Sequence, residues 1–282
     1  MTSRRTFLRT GAALAGASLL PRTVAAGREG IARNLDGVRL GVASYSLREL
    51  PRSEAIAAVQ AIGTKYINIK SFHLDYDLSP DELAEGVAEF LSAGLQIVGG
   101  GLIPFQEDSD EALRASFEYA RAAGFPVIVA GPTPRVLPRL ERFAVEYDIK
   151  VAIHNHGPED PFFPAPSDAL ALVRGMDTRM GVCVDVGHTA RTGKDVVAEI
   201  AAAGERLHDV HMKDLADFSD RGSQVIVGQG RMPVAGIFRQ LNAMDYAGYV
   251  NLEYEIDASN PLPGMLRSFD FMRGVLAGMS AD

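Results

Sequence analysis

The sequence has little of what marks disulfide-stabilised, multidomain or dinucleotide-binding proteins. Its 282 residues include one cysteine and no tryptophan. No disulfide framework can therefore support the fold, and Cys183 is interpreted as a small buried hydrophobic residue. Beyond residue 37 there is no linker and no low-complexity segment, which favours one domain over two. The first predicted strand is followed by no glycine-rich loop of the kind that cradles a dinucleotide.

The first 26 residues are typical of an export signal. A twin arginine at 4–5 is followed by a short apolar run at 10–20 and by small residues before a cleavage position at Ala26. This combination closely resembles a twin-arginine (Tat) signal peptide, and its apolar run is too short to cross a bilayer as a stable helix. We expect export to the periplasm or cell exterior, no stable membrane insertion, and a short segment at 27–37 ahead of the folded domain.

The charge of the mature chain argues against nucleic acid and anionic lipid as partners. Removal of residues 1–26 takes away four arginines and no acidic residue, which leaves 24 basic against 36 acidic residues and a net charge of −12. Such a surface repels polyanions. A small molecule is the expected partner, and the sequence leaves homo-oligomerisation open.

From residue 38 onwards, short β-branched runs alternate with amphipathic stretches of helical length. The predicted strands are 38–44, 65–70, 95–101, 125–131, 149–155, 179–186, 206–213 and 249–255. The predicted helices are 52–62, 79–94, 109–124, 133–148, 167–176, 194–204, 234–248 and 262–278. Eight such β/α units predict a single (β/α)₈ TIM barrel over 38–282, and a doubly wound sheet is the alternative.

Metal-capable side chains stand at the ends of the last four predicted strands. The fifth strand ends in His154 and His156, and the next three place Asp185, His211 and Glu253 between apolar neighbours. Side chains alternate between the two faces of a strand, so these polar residues face the barrel axis at the rim where active sites form. Structural ion pairs would explain any one of them, but four consecutive strands favour a shared divalent cation.

The order and spacing of these motifs resemble the xylose isomerase-like TIM barrels, a superfamily of sugar isomerases and epimerases. The resemblance covers nearly the whole mature chain and is carried by YSLR (45–48), KSFHL (70–74), DVGHTARTG (185–193), HMKD (211–214), GQGRMPV (228–234) and NLEYE (251–255). It implies one divalent metal ion held by His154, Asp185, His211 and Glu253. It also implies that His188 and Arg191 contact substrate oxygens.

One residue departs from the pattern of the family. The fifth-strand ligand in most relatives is a glutamate, which also acts as one of two acid/base groups, and here it is His154. Only Glu253 of that pair remains, and His156 and Glu159 are candidates to replace the other. Two imidazoles and two carboxylates make a formally neutral site with a divalent ion, which we expect to be a stronger Lewis acid than the usual one. This ligand set favours Mn, Co, Fe or Zn, with Mg less suited.

The chemistry implied by the resemblance is proton abstraction from the carbon next to a carbonyl, through a metal-stabilised enediolate. Glu253 is the expected base, while His188 and Lys213 would hold or protonate substrate oxygens. Lys213 could equally be a structural partner of Asp214 or Asp185. His73 is expected to line the pocket, with a solvent-facing loop position as its alternative, whereas His208 is expected to face the helices in a structural role.

A single base suits some reactions better than others. It can move a proton along one face of a sugar, as in isomerisation, or remove it while a β-substituent leaves. We therefore expect isomerase or epimerase chemistry on a non-phosphorylated sugar or glycoside, with β-eliminating 3-keto-glycoside lyase activity as the alternative. A non-catalytic periplasmic sugar-binding barrel is a further alternative. A three-zinc endonuclease IV-like enzyme is disfavoured by the acidic charge.

Overall fold

The structure is a computed structural model that describes residues 37–279. The predicted signal peptide (1–26) and the segment from residue 27 to residue 36 lie outside the described residues. Between residues 37 and 279, no helix has both the length and the apolar character needed to cross a bilayer.

Eight parallel strands close into a barrel in the spatial order β1-β10-β7-β6-β5-β4-β3-β2. The barrel strands are β1 (Arg39–Ala43), β2 (Tyr66–Ile69), β3 (Gln96–Ile103), β4 (Val127–Ala130), β5 (Lys150–His154), β6 (Met180–Asp185), β7 (Leu207–Met212) and β10 (Tyr249–Leu252). Two short antiparallel strands, β8 (Asp214–Leu215) and β9 (Gln224–Val225), lie between β7 and β10. The predicted single (β/α)₈ barrel is confirmed, and the doubly wound alternative is wrong because the sheet closes.

The helices surround the barrel at the places where the sequence predicts them. They are α1 (Arg52–Ile62), α2 (Pro80–Ser92), α3 (Asp110–Ala122), α4 (Leu137–Tyr147), α5 (Pro166–Val173), α6 (Val186–Arg191), α7 (Val196–Ala203), α8 (Val234–Ala243) and α9 (Leu262–Met279). Short 3₁₀ helices span Ser44–Leu47, Pro134–Val136 and Gly204–Arg206. Side chains cap two of these helices at their N-termini: the Ser79 hydroxyl caps α2 in a capping box with Glu82, and the Asp195 carboxylate caps α7. The α6 helix and the β8–β9 hairpin were not predicted.

The barrel interior is built in layers because every second residue of a strand points inward. A small apolar cluster of Val129, Ala152 and Cys183 lies apart from the main core between strands and helices. Cys183 is fully buried, as predicted. Beside this cluster, Asp209 accepts hydrogen bonds from the side-chain amides of Asn68 (2.8 Å) and Asn251 (2.7 Å). The inward positions two residues further along the strands carry the charged groups of the rim.

Asp214 organises the long loop that follows β7. Its carboxylate accepts four backbone N–H hydrogen bonds, each of 2.9 Å, from Leu215, Gly228, Gly230 and Met232. Gln224 on β9 then joins this loop to the end of β10, since its side chain donates to the Glu253 carbonyl (2.8 Å) and accepts from the Glu255 N–H (2.7 Å). The carboxylate thus holds the loop in a position from which Gln224 fixes the backbone between Glu253 and Glu255.

His208 faces away from the barrel axis, as predicted. Its ring is 6% exposed, and its Nε2 lies 3.0 Å from the carbonyl oxygen of Thr178. Burial, with a smaller contribution from the nearby Lys150, lowers the pKa of His208 to about 4. The imidazole is therefore neutral in the folded protein at pH values where the unfolded chain binds a proton.

We expect Asp214→Asn to lower the free energy of unfolding by about 3 kcal/mol, because an amide NH₂ would face two N–H donors that now meet a carboxylate. Urea unfolding at neutral pH measures the change. The exposed Asp270→Asn provides a matched control and should leave the stability within about 0.5 kcal/mol of the wild type. Equal midpoints for the two variants would contradict the organising role of Asp214.

The free energy of unfolding should decrease as the pH is lowered from about 6.5 to 4, partly because of His208. Its pKa is lower in the folded than in the unfolded state, so the unfolded state gains the proton first and its free energy drops as the pH falls. The lost contribution approaches about 3 kcal/mol at the lower end. Urea unfolding of His208→Gln at pH 7.5 and 4.5 should show a smaller loss than the wild type; an equal loss would exclude this assignment.

Candidate metal centre

Four side chains converge at the carboxyl ends of β5, β6, β7 and β10. They are those of His154, Asp185, His211 and Glu253, and their ligand atoms all lie within 4.8 Å of one another. Register explains the convergence, since His211 pairs directly with Asp185 on one side and with Asn251 on the other. All four side chains are buried. The structure thus brings together the four residues that the resemblance implied as metal ligands.

The two imidazoles form the centre of the cluster. His154 Nε2 lies 2.9 Å from His211 Nδ1 and 3.6 Å from Asp185 Oδ2, while His211 Nδ1 lies 3.4 Å from Glu253 Oε2. The other nitrogens, His154 Nδ1 and His211 Nε2, are buried without a hydrogen-bond partner. Asp185 Oδ2 likewise accepts no hydrogen bond, although a lysine lies nearby.

These donors fit a divalent cation. Two imidazole nitrogens and two carboxylates around a common point are ligands that first-row divalent metals accept, and the unpartnered Asp185 Oδ2 is one of these four ligand groups. Burial, and then the neighbouring His156 and His211, hold the pKa of His154 well below its ordinary value, so its ring is neutral with a lone pair available. Burial alone would raise the pKa of Glu253, but His211 and Lys213 hold it well below its usual range. Glu253 is therefore ionised.

Lys213 lies against two of these carboxylates. Its Nζ is 2.9 Å from both Asp185 Oδ2 and Glu253 Oε2, and it also contacts Glu255. Although burial acts in the opposite direction, Asp185 and Glu253 raise the pKa of Lys213 well above its ordinary value. Lys213 thus pairs with Asp185, one of the two partners considered from the sequence. Asp214 instead binds the backbone of its own loop.

Neighbouring side chains orient the cluster. The Asp185 N–H donates to Asn155 Oδ1 (2.9 Å), and Asp185 Oδ1 accepts the His188 N–H (2.8 Å) that begins α6. On the far side of the histidine ring, Asp209 Oδ2 lies 3.8 Å from His211 Nε2. Metal-binding imidazoles commonly face a carboxylate on this side, although at 3.8 Å these two atoms form no hydrogen bond.

His73 does not line the pocket, contrary to the prediction. Its side chain is only 2% exposed, and its Nδ1 lies 3.0 Å from the Ser44 hydroxyl. Its Nε2 lies 3.2 Å from two carbonyl oxygens, those of Leu47 and Leu50. His73 follows β2 in a turn, where the alternation of a strand no longer decides which way a side chain points. Neither the pocket nor the solvent-facing alternative is correct, and His73 instead holds the first βα loop together.

The other predicted substrate-contacting residues surround the cluster at different distances. The His156 ring centre lies 4.5 Å from that of His154, and the His188 ring centre lies 6.0 Å from it. His188 lies in the first turn of α6, and burial lowers its pKa. Arg191 lies 3.3 Å from His188 Nδ1 and also contacts Glu159. Glu159 is exposed, and Arg191 holds its pKa below the usual value, so it faces this arginine rather than the four ligands.

Two adjoining cavities of about 290 and 620 Å³ open above the cluster. The smaller one contacts His154 and Glu253, and the larger one contacts Lys213 and Arg191. Several lining residues were not singled out from the sequence: Tyr45, Lys70, Phe72, Arg221 and Glu255. The strand alternation would have found Lys70, which lies two residues after the inward Asn68, and Glu255, which lies two after Glu253.

Comparison with solved structures places the fold among known barrels. A protein from Parabacteroides distasonis is 26% identical over 83% of this chain and 98% of its own, with a TM-score of 0.64. The IOLI protein with a binding zinc atom is 18% identical over 86% of this chain and 99% of its own, with a TM-score of 0.70. The 3-keto-D-glucoside 4-epimerase YcjR from E. coli is 16% identical over 84% of this chain and 99% of its own, with a TM-score of 0.66. No curated protein matches this sequence.

The sequence itself agrees with these structural similarities. Residues 54–275, which extend from the first helix to the last, match the sequence model described as the xylose isomerase-like TIM barrel. Sugar isomerases and epimerases are among the structural neighbours. With its closed eight-stranded barrel and this match over most of its length, the chain belongs to the xylose isomerase-like TIM barrel family.

Proposed function

We propose that this protein is a divalent-metal-dependent enzyme that removes a proton next to the carbonyl of a non-phosphorylated sugar or glycoside. The observation that carries the proposal is the convergence of His154, Asp185, His211 and Glu253 within 4.8 Å beneath an open cavity. A structural neighbour named for its binding zinc atom and another named 3-keto-D-glucoside 4-epimerase support the same class. The predicted signal peptide adds that the enzyme acts outside the cytoplasm.

The four ligands would hold the ion, which would supply a Lewis acid for substrate oxygens. Glu253 has two oxygens in different surroundings: Oε2 faces His211 and Lys213, while Oε1 faces Lys70 on the other side. Oε1 is therefore the oxygen suited to take a proton from a substrate in the smaller cavity. The C–H bond breaks, the proton passes to Glu253, and the electron pair moves towards the carbonyl oxygen.

The surroundings of His154 bear on which reaction types this site could catalyse. An epimerase needs a second acid/base on the opposite face of the sugar, and the imidazole at position 154 points into the metal cluster. His156 and His188 are the nearest side chains that can carry a proton, with ring centres 5.9 Å apart at the cavity. Transfer along one face by Glu253 gives isomerisation, whereas protonation of a departing β-oxygen by one of these histidines gives lyase activity on a 3-keto-glycoside.

We expect purified protein that has been loaded with Zn²⁺ or Mn²⁺ and desalted to retain about one ion per chain. His154→Ala and His211→Ala should each weaken binding by at least about a hundredfold, beyond the range that loss of an outer hydrogen bond causes. Elemental analysis and a competitive chelator titration measure the content and the affinity. His208→Gln is a matched control, because this histidine lies outside the cluster. Three ions per chain would instead favour an endonuclease IV-like centre.

Glu253→Gln should lower turnover by about 10²–10⁴-fold when metal is supplied at saturation, because the amide cannot accept the proton. Wild type and variant are incubated in deuterated water with free ketoses and with a 3-keto-glucoside. Deuterium in an unchanged or isomerised sugar indicates an isomerase or epimerase, whereas release of the aglycone indicates a lyase. Glu85→Gln, an exposed position on helix α2, is the control. Metal-loaded wild type that exchanges no proton with any of these substrates would favour the non-catalytic sugar-binding alternative.

A further inference from the structure

Lys70 is a buried lysine that enters the site from the side opposite most of the ligands. It follows directly after β2, two positions beyond the inward-facing Asn68, and its side chain is 6% exposed. Its backbone is fixed, since the Lys70 N–H donates to Ser44 Oγ (2.8 Å) and its carbonyl accepts from the His73 N–H (3.0 Å). The side chain lines the smaller cavity together with His154 and Glu253.

The Lys70 ammonium group makes no hydrogen bond to any residue between 37 and 279. Its one ion-pair contact in that range is Glu253 Oε1 at 3.9 Å, which is too long for a hydrogen bond. Lys213, the other buried lysine of the rim, lies 2.9 Å from two carboxylates and contacts a third. The Lys70 side chain is 6% exposed, and its Nζ reaches the cavity rather than being sealed in the interior. The Lys213 ammonium therefore has carboxylate partners, whereas the Lys70 ammonium faces the cavity with hydrogen-bond donors that no protein group accepts among the described residues.

We propose that Lys70 binds the carbonyl oxygen of the substrate and stabilises the negative charge that develops on it when Glu253 removes the neighbouring proton. This inference rests on the proposed function. As the C–H bond breaks, the proton goes to Glu253 and the electron pair forms an enolate, whose oxygen accepts a hydrogen bond from the Lys70 ammonium. Lys70 transfers no proton. A donor preorganised in a water-poor site gains strength as charge develops at its acceptor.

The placement of Lys70 also restricts the substrate class. Its Nζ lies 3.9 Å from the oxygen that takes the proton, so the atom it binds must be close to the carbon that loses that proton. A carbonyl oxygen on the adjacent carbon meets this requirement. Tyr45, Phe72 and Leu102 line the same cavity, which leaves an apolar wall for the remainder of the molecule. The geometry therefore points to a ketose or a keto-glycoside rather than a sugar without a carbonyl.

The alternative role for Lys70 is that of a structural counter-ion for Glu253. The two roles predict opposite changes on removal of the charge. A counter-ion stabilises the fold and the metal ligand, so its loss should lower the melting temperature and the metal content. A substrate-binding lysine held without acceptors carries a cost in the free protein, so its loss should leave the melting temperature unchanged or raise it.

The test compares Lys70→Met, which keeps the length and removes the charge, with Lys70→Arg and Lys70→Gln. Lys65→Met, at the exposed far end of the same strand, is the control. With metal at saturation, Lys70→Met should retain one ion and the wild-type melting temperature, and should lose turnover by about 10²–10³-fold. Lys70→Arg should recover part of the loss. If Lys70→Met does not fold, Lys70→Gln is measured in the same way.

Calorimetric binding separates this inference from the proposed function. Acetohydroxamic acid is mostly neutral in solution near pH 7 but loses its proton when it chelates a metal ion, and the bound form then carries an anionic oxygen like an enolate, whereas xylitol stays neutral. Lys70→Met should bind acetohydroxamate at least about tenfold more weakly than the wild type and bind xylitol with little change. If Lys70→Met has the same turnover and the same acetohydroxamate affinity as the wild type, the proposed role of Lys70 is wrong, while the proposed function stands. A lowered melting temperature with lost metal would assign the counter-ion role instead. If the wild type shows no turnover but still binds acetohydroxamate more tightly than xylitol, the proposed function alone is refuted.

Discussion

The site depends on one electrostatic constraint: charged and titratable side chains of several strands meet in a single buried layer, where each must be neutralised locally. Asp185 and Glu253 are both buried, and Lys213 Nζ lies 2.9 Å from one carboxylate oxygen of each. Without that lysine, two like charges in a medium of low dielectric constant would repel strongly. Lys213 therefore makes the two carboxylates compatible and leaves the histidine nitrogens to define the remaining space.

The same crowding limits how many protons the two imidazoles of the cluster can carry. His154 Nε2 and His211 Nδ1 are 2.9 Å apart, so both cannot carry a proton at once. Asp209 lies on the far side of His211, with its Oδ2 3.8 Å from His211 Nε2, and is itself fixed by hydrogen bonds from Asn68 and Asn251. A buried polar layer of Asn68, Asp209 and Asn251 therefore lies directly beneath the ligands.

Much of this arrangement could be predicted from the sequence, because it follows from strand periodicity. Alternation along β5, β6, β7 and β10 indicates which residues face the axis, and parallel strands bring their carboxyl ends to one rim. The same alternation also predicts that Lys70, two residues after Asn68, faces the cavity. It fails for His73, which lies in a turn, and for α6, since no signal within DVGHTAR separates a short helix from a loop. The partners of Asp214 depend on contacts between residues far apart in sequence, which no local pattern reveals.

His154 stands where the resemblance to the family implies a glutamate, and its neutral ring bears on the roles of the two lysines. A glutamate at this position would add a third carboxylate to a layer that already holds Asp185 and Glu253, whereas a neutral imidazole adds no charge. With Lys213 committed to the existing carboxylates, the ammonium group of Lys70 is not needed to balance the ligands. Its charge remains available at the cavity, at the position where a substrate that loses a proton to Glu253 would become negative. The neutral His154 and the uncommitted Lys70 thus belong to the same charge balance. This balance disfavours a second carboxylate base at the site. It favours a substrate whose carbonyl oxygen takes up the developing negative charge.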